Sequence, residues 1–240
     1  METGTYTTLT RQSGLMREMA LVANNIANAS TTGYRTEGLV FAEHVQALRG
    51  DHPSVSMATA TVRRTNETQG AMTLTGGPLD LAIEGPGFFL VDTPEGQRLT
   101  RAGQFSSNGQ GDLVTPDGYP VLDSGGAPVF VPQGVGSIGI APDGTLSADG
   151  QPVAQIGVVV PDEATTLVRE GGTRFRAEGG IGPAPDASVL QGYLEDSNVD
   201  PILEIARMIE VQRAYELGQS FLDKEDERIR NAVEALGRRA

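Results

Sequence analysis

Both ends of the chain carry long segments with helical periodicity, and this feature limits the possible folds more than any other. The first segment, residues 1–33, contains no proline. Its apolar stripe recurs at helical spacing and consists of Leu9, Met16, Ala20 and Ala23. Gly33 predicts the end of the helix, because glycine readily adopts the backbone conformation that terminates one. Asparagines near its end lower the helix propensity of this segment, so we expect it to dock against another helix.

The second helical segment covers residues 198–240. Asp200 and Pro201 predict its start, since aspartate caps a helix and proline suits the first helical position. Apolar residues then repeat every seven positions, at Met208, Tyr215, Leu222, Ile229 and Leu236, and adjoining positions hold Ile205, Ile209 and Gln212. A helix packed on an ordinary core has similar spacing, but the uninterrupted length favours a coiled-coil seam.

Residues 79–194 predict a β-rich domain, and residues 34–78 predict an extended or linker region. Short apolar runs alternate with turn pairs at Asn108-Gly109, Asp117-Gly118, Asp143-Gly144 and Asp149-Gly150. Such short strands with close turns are typical of an antiparallel barrel or sandwich. The sequence therefore predicts an α+β protein, in which a mainly antiparallel β domain is flanked by two long helices that form a coiled-coil assembly domain.

Composition excludes several classes of function. The net charge is −13, and most of it lies between the nearly neutral ends, which argues against binding to nucleic acid. The chain has no cysteine, no long apolar run, and no basic start followed by an apolar stretch. We therefore expect no disulfide, no membrane-spanning helix and no cleaved secretory signal.

No constellation of residues predicts catalysis or a cofactor. The only histidines are His44 and His52, which lie in a loop-like stretch without the other ligands that a metal site needs. Residues 134–139 match the dinucleotide-binding glycine pattern, but a strand and a turn are predicted where that site needs a helix. We therefore predict no enzyme activity, no cofactor, no metal and no small-molecule substrate.

Three asparagines, Asn24, Asn25 and Asn28, stand near the end of the first helical segment. Asparagine lowers helix propensity relative to alanine, so fraying of the helix end explains Asn28 well. It explains Asn24 and Asn25 less well, because the apolar stripe continues beside them. An amide inside a helix–helix interface costs stability but fixes the register. We therefore predict that the asparagines align this helix with a partner in the same chain or in a neighbouring one.

Five stretches of the sequence resemble the bacterial flagellar axial proteins, the family of rod and hook subunits. The first reads Asn-Asn-Ile-Ala-Asn-Ala-Ser-Thr-Thr-Gly-Tyr, and the full set is residues 24–34, 79–89, 100–105, 191–200 and 208–216. They occur in the family's order and span nearly the whole chain. The length and overall pattern are most similar to the proximal-rod members, with distal-rod and hook members as alternatives.

The resemblance implies a structural subunit of the flagellar basal-body rod. Such subunits are exported through the flagellar type III apparatus without a cleaved signal, and they polymerise with other rod subunits across the periplasm into the torque-transmitting shaft. The terminal helices are then the assembly interface, where we expect Leu9, Met16, Ala20, Ala23, Asn24, Asn25, Asn28, Ile205, Ile209, Gln212, Tyr215 and Leu222. The apolar residues of the first helix are expected to face the second helix of the same chain or of a neighbour. A hypothesis from a different class is a secreted β-domain protein that binds or cleaves glycans.

Overall fold

A computed structural model describes residues 2–46 and 55–237. These residues form helices α1 (Glu2–Ala27) and α2 (Pro201–Gly237). The strands are β1 (Glu37–Gln46), β2 (Val55–Thr65), β3 (Met72–Leu74), β4 (Leu81–Glu84), β5 (Phe88–Thr93), β6 (Gly96–Thr100), β7 (Ser106–Ser107), β8 (Leu113–Val114), β9 (Ile138–Ile140), β10 (Thr145–Ala148), β11 (Gln151–Gln155), β12 (Val158–Pro161), β13 (Thr166–Arg169), β14 (Arg174–Glu178), β15 (Ile181–Pro183), β16 (Ser188–Gln191) and β17 (Tyr193–Glu195). The predicted α+β class with a mainly antiparallel β domain is confirmed.

The chain divides into two compact units. The helical unit is drawn from Met1–Asn28, Thr36–Asn66 and Val199–Ala240. The β unit is drawn from Ala29–Arg35 and Glu67–Asn198. Each unit therefore combines stretches that are far apart in the sequence. Within the described residues, neither helix has an apolar stretch long enough to cross a membrane.

In the helical unit, α1 packs against α2 and against a hairpin of β1 and β2. The two strands pair antiparallel, and their register shifts between Val40 and Phe41. The sequence predicts an extended or linker region over residues 34–78, and the structure has a long strand at Glu37–Gln46. Its β-branched and aromatic residues suit a strand, and β2 supplies its hydrogen-bonding partner. His44 lies in β1, and His52 lies outside the described residues.

The sequence prediction is confirmed at the start of α2 but not at the end of α1. At the start of α2, the Asp200 carboxylate accepts hydrogen bonds from the N–H groups of Ile202 and Leu203 at 2.9 and 3.2 Å, so the predicted cap is confirmed. In contrast, α1 ends at Ala27 and not near Gly33. Gly33 does have a φ of +68°, but glycine is needed at this position because the backbone of residues 101–102 passes close to it.

The β unit is built around a six-stranded antiparallel sheet with the order β13-β14-β6-β5-β12-β15. Smaller sheets have the orders β11-β10-β9, β16-β4, β17-β3 and β7-β8. Asp149 and Gly150 join β10 to β11 with φ values of 49° and 79°, which is a type I′ turn at one of the predicted turn pairs. The glycine pattern at residues 134–139 runs into β9 and then β10, as predicted, where a dinucleotide site needs a helix.

Two apolar clusters form the core of the β unit. The smaller one consists of Leu90, Leu99, Leu122, Val159 and Phe175. The larger one consists of Leu81, Ile83, Phe89, Val91, Phe105, Leu113, Val121, Val129, Val131, Ile140, Leu146, Ile156 and Val189. Phe89 and Phe105 meet edge to face with ring centroids 5.1 Å apart. The apolar alternation of Leu81, Ile83, Phe88 and Phe89 predicts core packing; three of them lie in the larger cluster, and Phe88 packs, partly buried, against the smaller one.

Candidate assembly interface

A continuous seam joins α1 to α2 inside the helical unit. α1 contributes the buried side chains of Leu15, Leu21 and Val22. Several α2 residues are buried or partly buried. Apart from Ala214, those whose burial the structure describes follow one another at alternating spacings of four and three residues: Glu204, Met208, Val211, Tyr215, Gly218, Leu222 and Glu225. This is the spacing with which two helices pack side by side over several turns. Tyr215 and Leu222, which were predicted at the interface, therefore lie on the face of α2 that packs within the chain.

Gln12 crosses this seam where the two helices come close together. Its buried amide donates to the backbone oxygen of Tyr215 and to Oε1 of Gln219, in both cases at 3.4 Å. Gly218 lies opposite, and a Cβ on it would come within 3.1 Å of Nε2 of Gln12. Glycine is unfavourable inside a helix. Its presence at Gly218 is explained by the room that it leaves for Gln12.

An ion pair sets the position of α1 along α2. Nε and Nη2 of Arg207 both donate to Oε1 of Glu18, at 2.9 and 2.8 Å. The Glu18 side chain is buried, whereas Arg207 is largely exposed. Removing Arg207 would leave a buried carboxylate without its charge partner, and a slip in register would do the same. The pair therefore selects one register of the two helices.

Asn25 connects the end of α1 to the start of β1. Its buried side-chain amide donates to the carbonyl oxygen of Glu37 at 2.9 Å, and its Oδ1 accepts from the N–H of Glu37 at 3.1 Å. The same amide donates to Oε2 of Glu204 on α2 at 3.2 Å. Asn25 thus pairs with β1 as a neighbouring strand would, and it aligns three elements within one chain.

Replacing Asn25 with alanine is expected to lower the free energy of unfolding by about 2–3 kcal/mol, because both backbone polar groups of Glu37 lose a buried partner. Urea unfolding followed by the helical circular dichroism signal measures this change. Asn24→Ala is the matched control, since Asn24 is exposed on the same helix and alanine has the higher helix propensity. Equal losses in the two variants would contradict the prediction.

Asn28 acts at the end of the helix. Its Nδ2 donates to the carbonyl oxygen of Asn24 at 2.8 Å and to Oδ1 of Asn24 at 3.3 Å. The bond covers one of the carbonyl groups that a helix end leaves without an intrahelical partner. A contribution of Asn24 and Asn28 to contacts between subunits stays a prediction.

The remaining α1 residues that were predicted at the interface point away from α2. Leu9 and Met16 are 49% and 58% exposed, and Ala20 and Ala23 are also exposed. Within the chain these residues do not face α2, because α1 packs through its opposite side, which carries Leu15 and Val22. Their contact with a neighbouring subunit stays a prediction.

α2 also carries a large outward apolar face. Ile202 is 79% exposed and Leu217 is 73% exposed; Leu203, Ile205, Ile209 and Phe221 are exposed as well. Gln212 lies on the solvent side of α2 and donates to Oε1 of Glu216 at 3.0 Å. Exposed apolar side chains grouped in this way are typical of a surface that contacts another molecule.

In the β unit, three buried charged side chains form what we call the ionic cluster: Arg35, Arg101 and Glu195. Glu195 is 1% exposed, and its two carboxylate oxygens accept from Nη2 of Arg35 and from Nε of Arg101, each at 2.8 Å. The N–H of Gly70 also donates to Oε1 of Glu195, at 3.1 Å. The cluster therefore joins the segment that follows α1, the end of β6 and the segment that leads to α2.

The two arginines of the ionic cluster also bind backbone carbonyl groups. Nη1 and Nη2 of Arg101 donate to three carbonyl oxygens at 2.7 to 3.1 Å, and Nη1 of Arg35 donates to two more. The acceptors are Ile83, Gly85 and Gly87 for Arg101, and Glu67 and Thr68 for Arg35. Carbonyl dipoles thus solvate the positive charge that the single carboxylate does not balance.

The electrostatics of the ionic cluster are dominated by removal from water. Burial lowers the pKa of Arg35 and of Arg101, and the negative charge of Glu195 opposes that shift in both. Among the described residues, Nε of Arg35 has no hydrogen-bond partner. Buried ionic groups pair only in a well-defined geometry, so such a cluster specifies one arrangement of the chain more than it adds stability.

Gly33 brings the two helix connections into contact beside this cluster. Its N–H donates to the carbonyl oxygen of Glu195 at 2.7 Å, and the N–H of Asn198 donates to the carbonyl oxygen of Tyr34 at 3.2 Å. A Cβ on Gly33 would lie 2.3 Å from the backbone nitrogen of Ala102. Since the φ of Gly33 is also +68°, only glycine fits this position.

Sequence reasoning assigned no function to Arg35, Arg101 or Glu195. Four of the five stretches that resemble the axial family supply the ionic cluster or the contacts beside it, namely 24–34, 79–89, 100–105 and 191–200. A usable signal was present, because Arg101 follows a β-strand pattern directly and Glu195 lies within one. A charge in such a position is either at a sheet edge or buried with a partner.

Comparison with known proteins identifies the class to which this architecture belongs. The family model for the flagellar hook protein FlgE/F/G D1 domain matches residues 82–148. The models for the flagellar basal body rod FlgEFG protein C-terminal region and for the flagella basal body rod protein match residues 190–235 and 6–35. The chain belongs to the flagellar basal-body rod protein family, and it is a structural subunit of the rod.

Full-length relatives narrow the resemblance to one member of the family. The chain is 43% identical to the flagellar basal-body rod protein FlgF of Caulobacter vibrioides and 35% identical to FlgF of Mesorhizobium japonicum, with 99% of each chain covered. It is 32% identical to FlgG of Bacillus subtilis over 95% of this chain and 97% of the relative. The subunit therefore resembles FlgF over its entire length.

Proposed function

We propose that this chain is a subunit of the proximal rod and that it polymerises through the outward faces of α1 and α2. The observation that carries this proposal is the placement of the two faces. At about 100° of rotation per residue, Leu9, Met16 and Ala23 lie on the side of α1 opposite its packed face. Ile202 and Ile209 lie on the side of α2 opposite its seam. The helix pair thus exposes apolar surface on two opposite sides.

Two different surfaces on opposite sides of one unit suit a head-to-tail contact. In such a contact the α1 face of one subunit meets the α2 face of the next, and the pattern repeats without closing on itself. This is the geometry of a filament or of a tube built from many subunits. The paired helices would then form the coiled-coil assembly domain of the rod, with the other axial proteins presenting homologous faces.

Replacing Met16 with glutamate is expected to abolish swimming, because a charge would enter the apolar contact between subunits and lose its hydration. Folding should be unaffected, since Met16 is exposed in the single chain. Motility in soft agar and recovery of the subunit in purified basal bodies measure the effect. Met16→Leu is the control that keeps the stripe apolar at similar volume, and it should swim. Normal motility of the Met16→Glu strain would argue against the proposed interface.

We further propose export through the flagellar type III apparatus without a cleaved signal, a position in the periplasmic part of the basal body, and no catalytic activity. The support for these statements is membership of the rod family. The intact mass of the subunit from purified basal bodies tests the first statement, because removal of a signal would shorten the chain. Release of peptidoglycan fragments by the purified subunit would contradict the last.

A further inference from the structure

A groove of about 380 Å³ lies along one side of the α1–α2 pair. Thr8, Arg11, Gln12 and Leu15 line it from α1, and Ala214, Leu217, Gly218 and Phe221 line it from α2. Ala214 is small and leaves space beside the seam, while Leu217 and Phe221 form an exposed apolar wall. The groove adjoins the outward apolar face of α2, to which Leu217 and Phe221 belong, but neither Ile202 nor Ile209 of that face lines it.

The chemistry of the groove suits a helix from another protein chain better than a small molecule. Among its polar lining residues, Gln12 is already bonded to α2, and the exposed wall on α2 is apolar, which suits the anchoring side chains of a further helix. Arg11 is exposed at the rim of the groove. An incoming helix that carries a carboxylate beside an apolar side chain would therefore match both features.

The C-terminal part of α2 has this combination. The seam spacing of α2 continues after Leu222 and Glu225 to Ile229 and Ala232, but both of these side chains are exposed. Asp226 lies one turn before Ile229, and its carboxylate pairs with Arg230 of the same helix at 2.7 Å on the surface. Such exposed pairs are weak and exchange partners readily.

We propose that the groove receives the Ile229 turn of α2 from a second copy of the chain, with Arg11 facing Asp226 of that copy. The proposal rests on the proposed function, because it names a specific contact within the assembled rod. Two observations favour a second copy as the occupant. The Ile229 turn continues a seam that already packs a helix, and its carboxylate complements the arginine at the rim. The groove and the Ile229 turn lie at different places on one chain, so a contact between them can continue from each copy to the next.

Cysteine cross-linking tests this contact directly, because the natural chain has no cysteine. In oxidant-treated cells that carry the variant as their only copy, the double variant Phe221→Cys with Ile229→Cys is expected to give a ladder of disulfide-linked multimers. Each single variant should give at most a dimer. Absence of the ladder in cells that still assemble rods would overturn the proposal.

A second cysteine pair separates failure of this contact from failure of the proposed function. Met16→Cys with Ile205→Cys probes the outward faces of α1 and α2. If this pair cross-links and the groove pair does not, the outward-face interface stands and the groove contact is rejected. If neither pair cross-links in assembled rods, both proposals fail.

A charge exchange provides an independent check. Arg11→Glu is expected to reduce the rate at which swimming colonies spread by at least about tenfold, and adding Asp226→Arg should restore most of it. Both side chains are exposed, so circular dichroism of the purified variants should be unchanged. Normal swimming of the Arg11→Glu strain, or failure of the second substitution to restore it, would overturn the pairing.

Discussion

Replacing Glu195 with glutamine is expected to lower the free energy of unfolding of the β unit by about 3–5 kcal/mol, the range typical for removing one partner of a buried ion pair. The variant keeps the size of the side chain, but it loses the charge and replaces one accepting oxygen with a donating amide group. Arg35 and Arg101 then remain buried without the carboxylate that they share, and the backbone carbonyl groups cannot replace its charge. Guanidinium unfolding followed by tyrosine fluorescence, with its midpoint and slope, measures the loss.

Glu178→Gln is the matched control for this experiment. Glu178 pairs with Arg176 at 2.8 Å on the surface of the same unit, where both side chains are about half exposed. Its replacement is expected to change stability far less, because water and salt already screen a surface pair. A loss at Glu195 no larger than the loss at Glu178 would show that the ionic cluster does not hold the β unit together.

Replacing Gly33 with alanine is expected to destabilise the β unit by at least about 3 kcal/mol. Part of the cost arises because a left-handed backbone is unfavourable for alanine by about 1–2 kcal/mol. The larger part arises because the new Cβ would lie 2.3 Å from the nitrogen of Ala102 and 2.4 Å from the carbonyl carbon of Arg101. Both contacts are with backbone, so a main-chain segment must move and the bond from Gly33 to Glu195 is strained.

Gly134→Ala separates the two parts of this cost. Gly134 has a φ of +76° and no atom within 4 Å of its ideal Cβ position, so alanine there meets only the conformational penalty. We expect a loss of about 1–2 kcal/mol at Gly134. If the two variants lose equal stability in thermal unfolding, the close approach to Ala102 does not constrain the chain.

Local signals predicted those features of the fold that depend on neighbouring residues. Asp200 with Pro201 located the start of α2, and Asp149-Gly150 located a hairpin turn, because each depends on the backbone of a few adjacent residues. The same reasoning placed the end of α1 at Gly33, which is wrong. Glycine is required at position 33 by the close backbone of residues 101–102, which are far away in the sequence.

Periodicity located the helices but could not decide which apolar face packs inside the chain. α1 has one stripe at Leu15 and Val22 and another at Leu9 and Met16, and both recur every seven residues. Only the structure distinguishes them, because the choice depends on how α2 and the β1–β2 hairpin cover the helix. The ionic cluster was missed for a related reason. Arg101 and Glu195 stand beside or within strand patterns, but their pairing in the interior becomes visible only when three distant segments are brought together.

The backbone hydrogen bonds between residues 33–34 and residues 195–198 shorten the loop that separates the two helices. In an unfolded chain, closing a loop of this length would cost about 4–5 kcal/mol of chain entropy before any helix contact forms. Once the β unit has folded, this entropy has already been lost. The two helices then start from adjacent positions and have a high effective concentration relative to each other. The helix seam should therefore form after the β unit during folding. A subunit whose β unit is still unfolded then presents no paired helices to a growing rod.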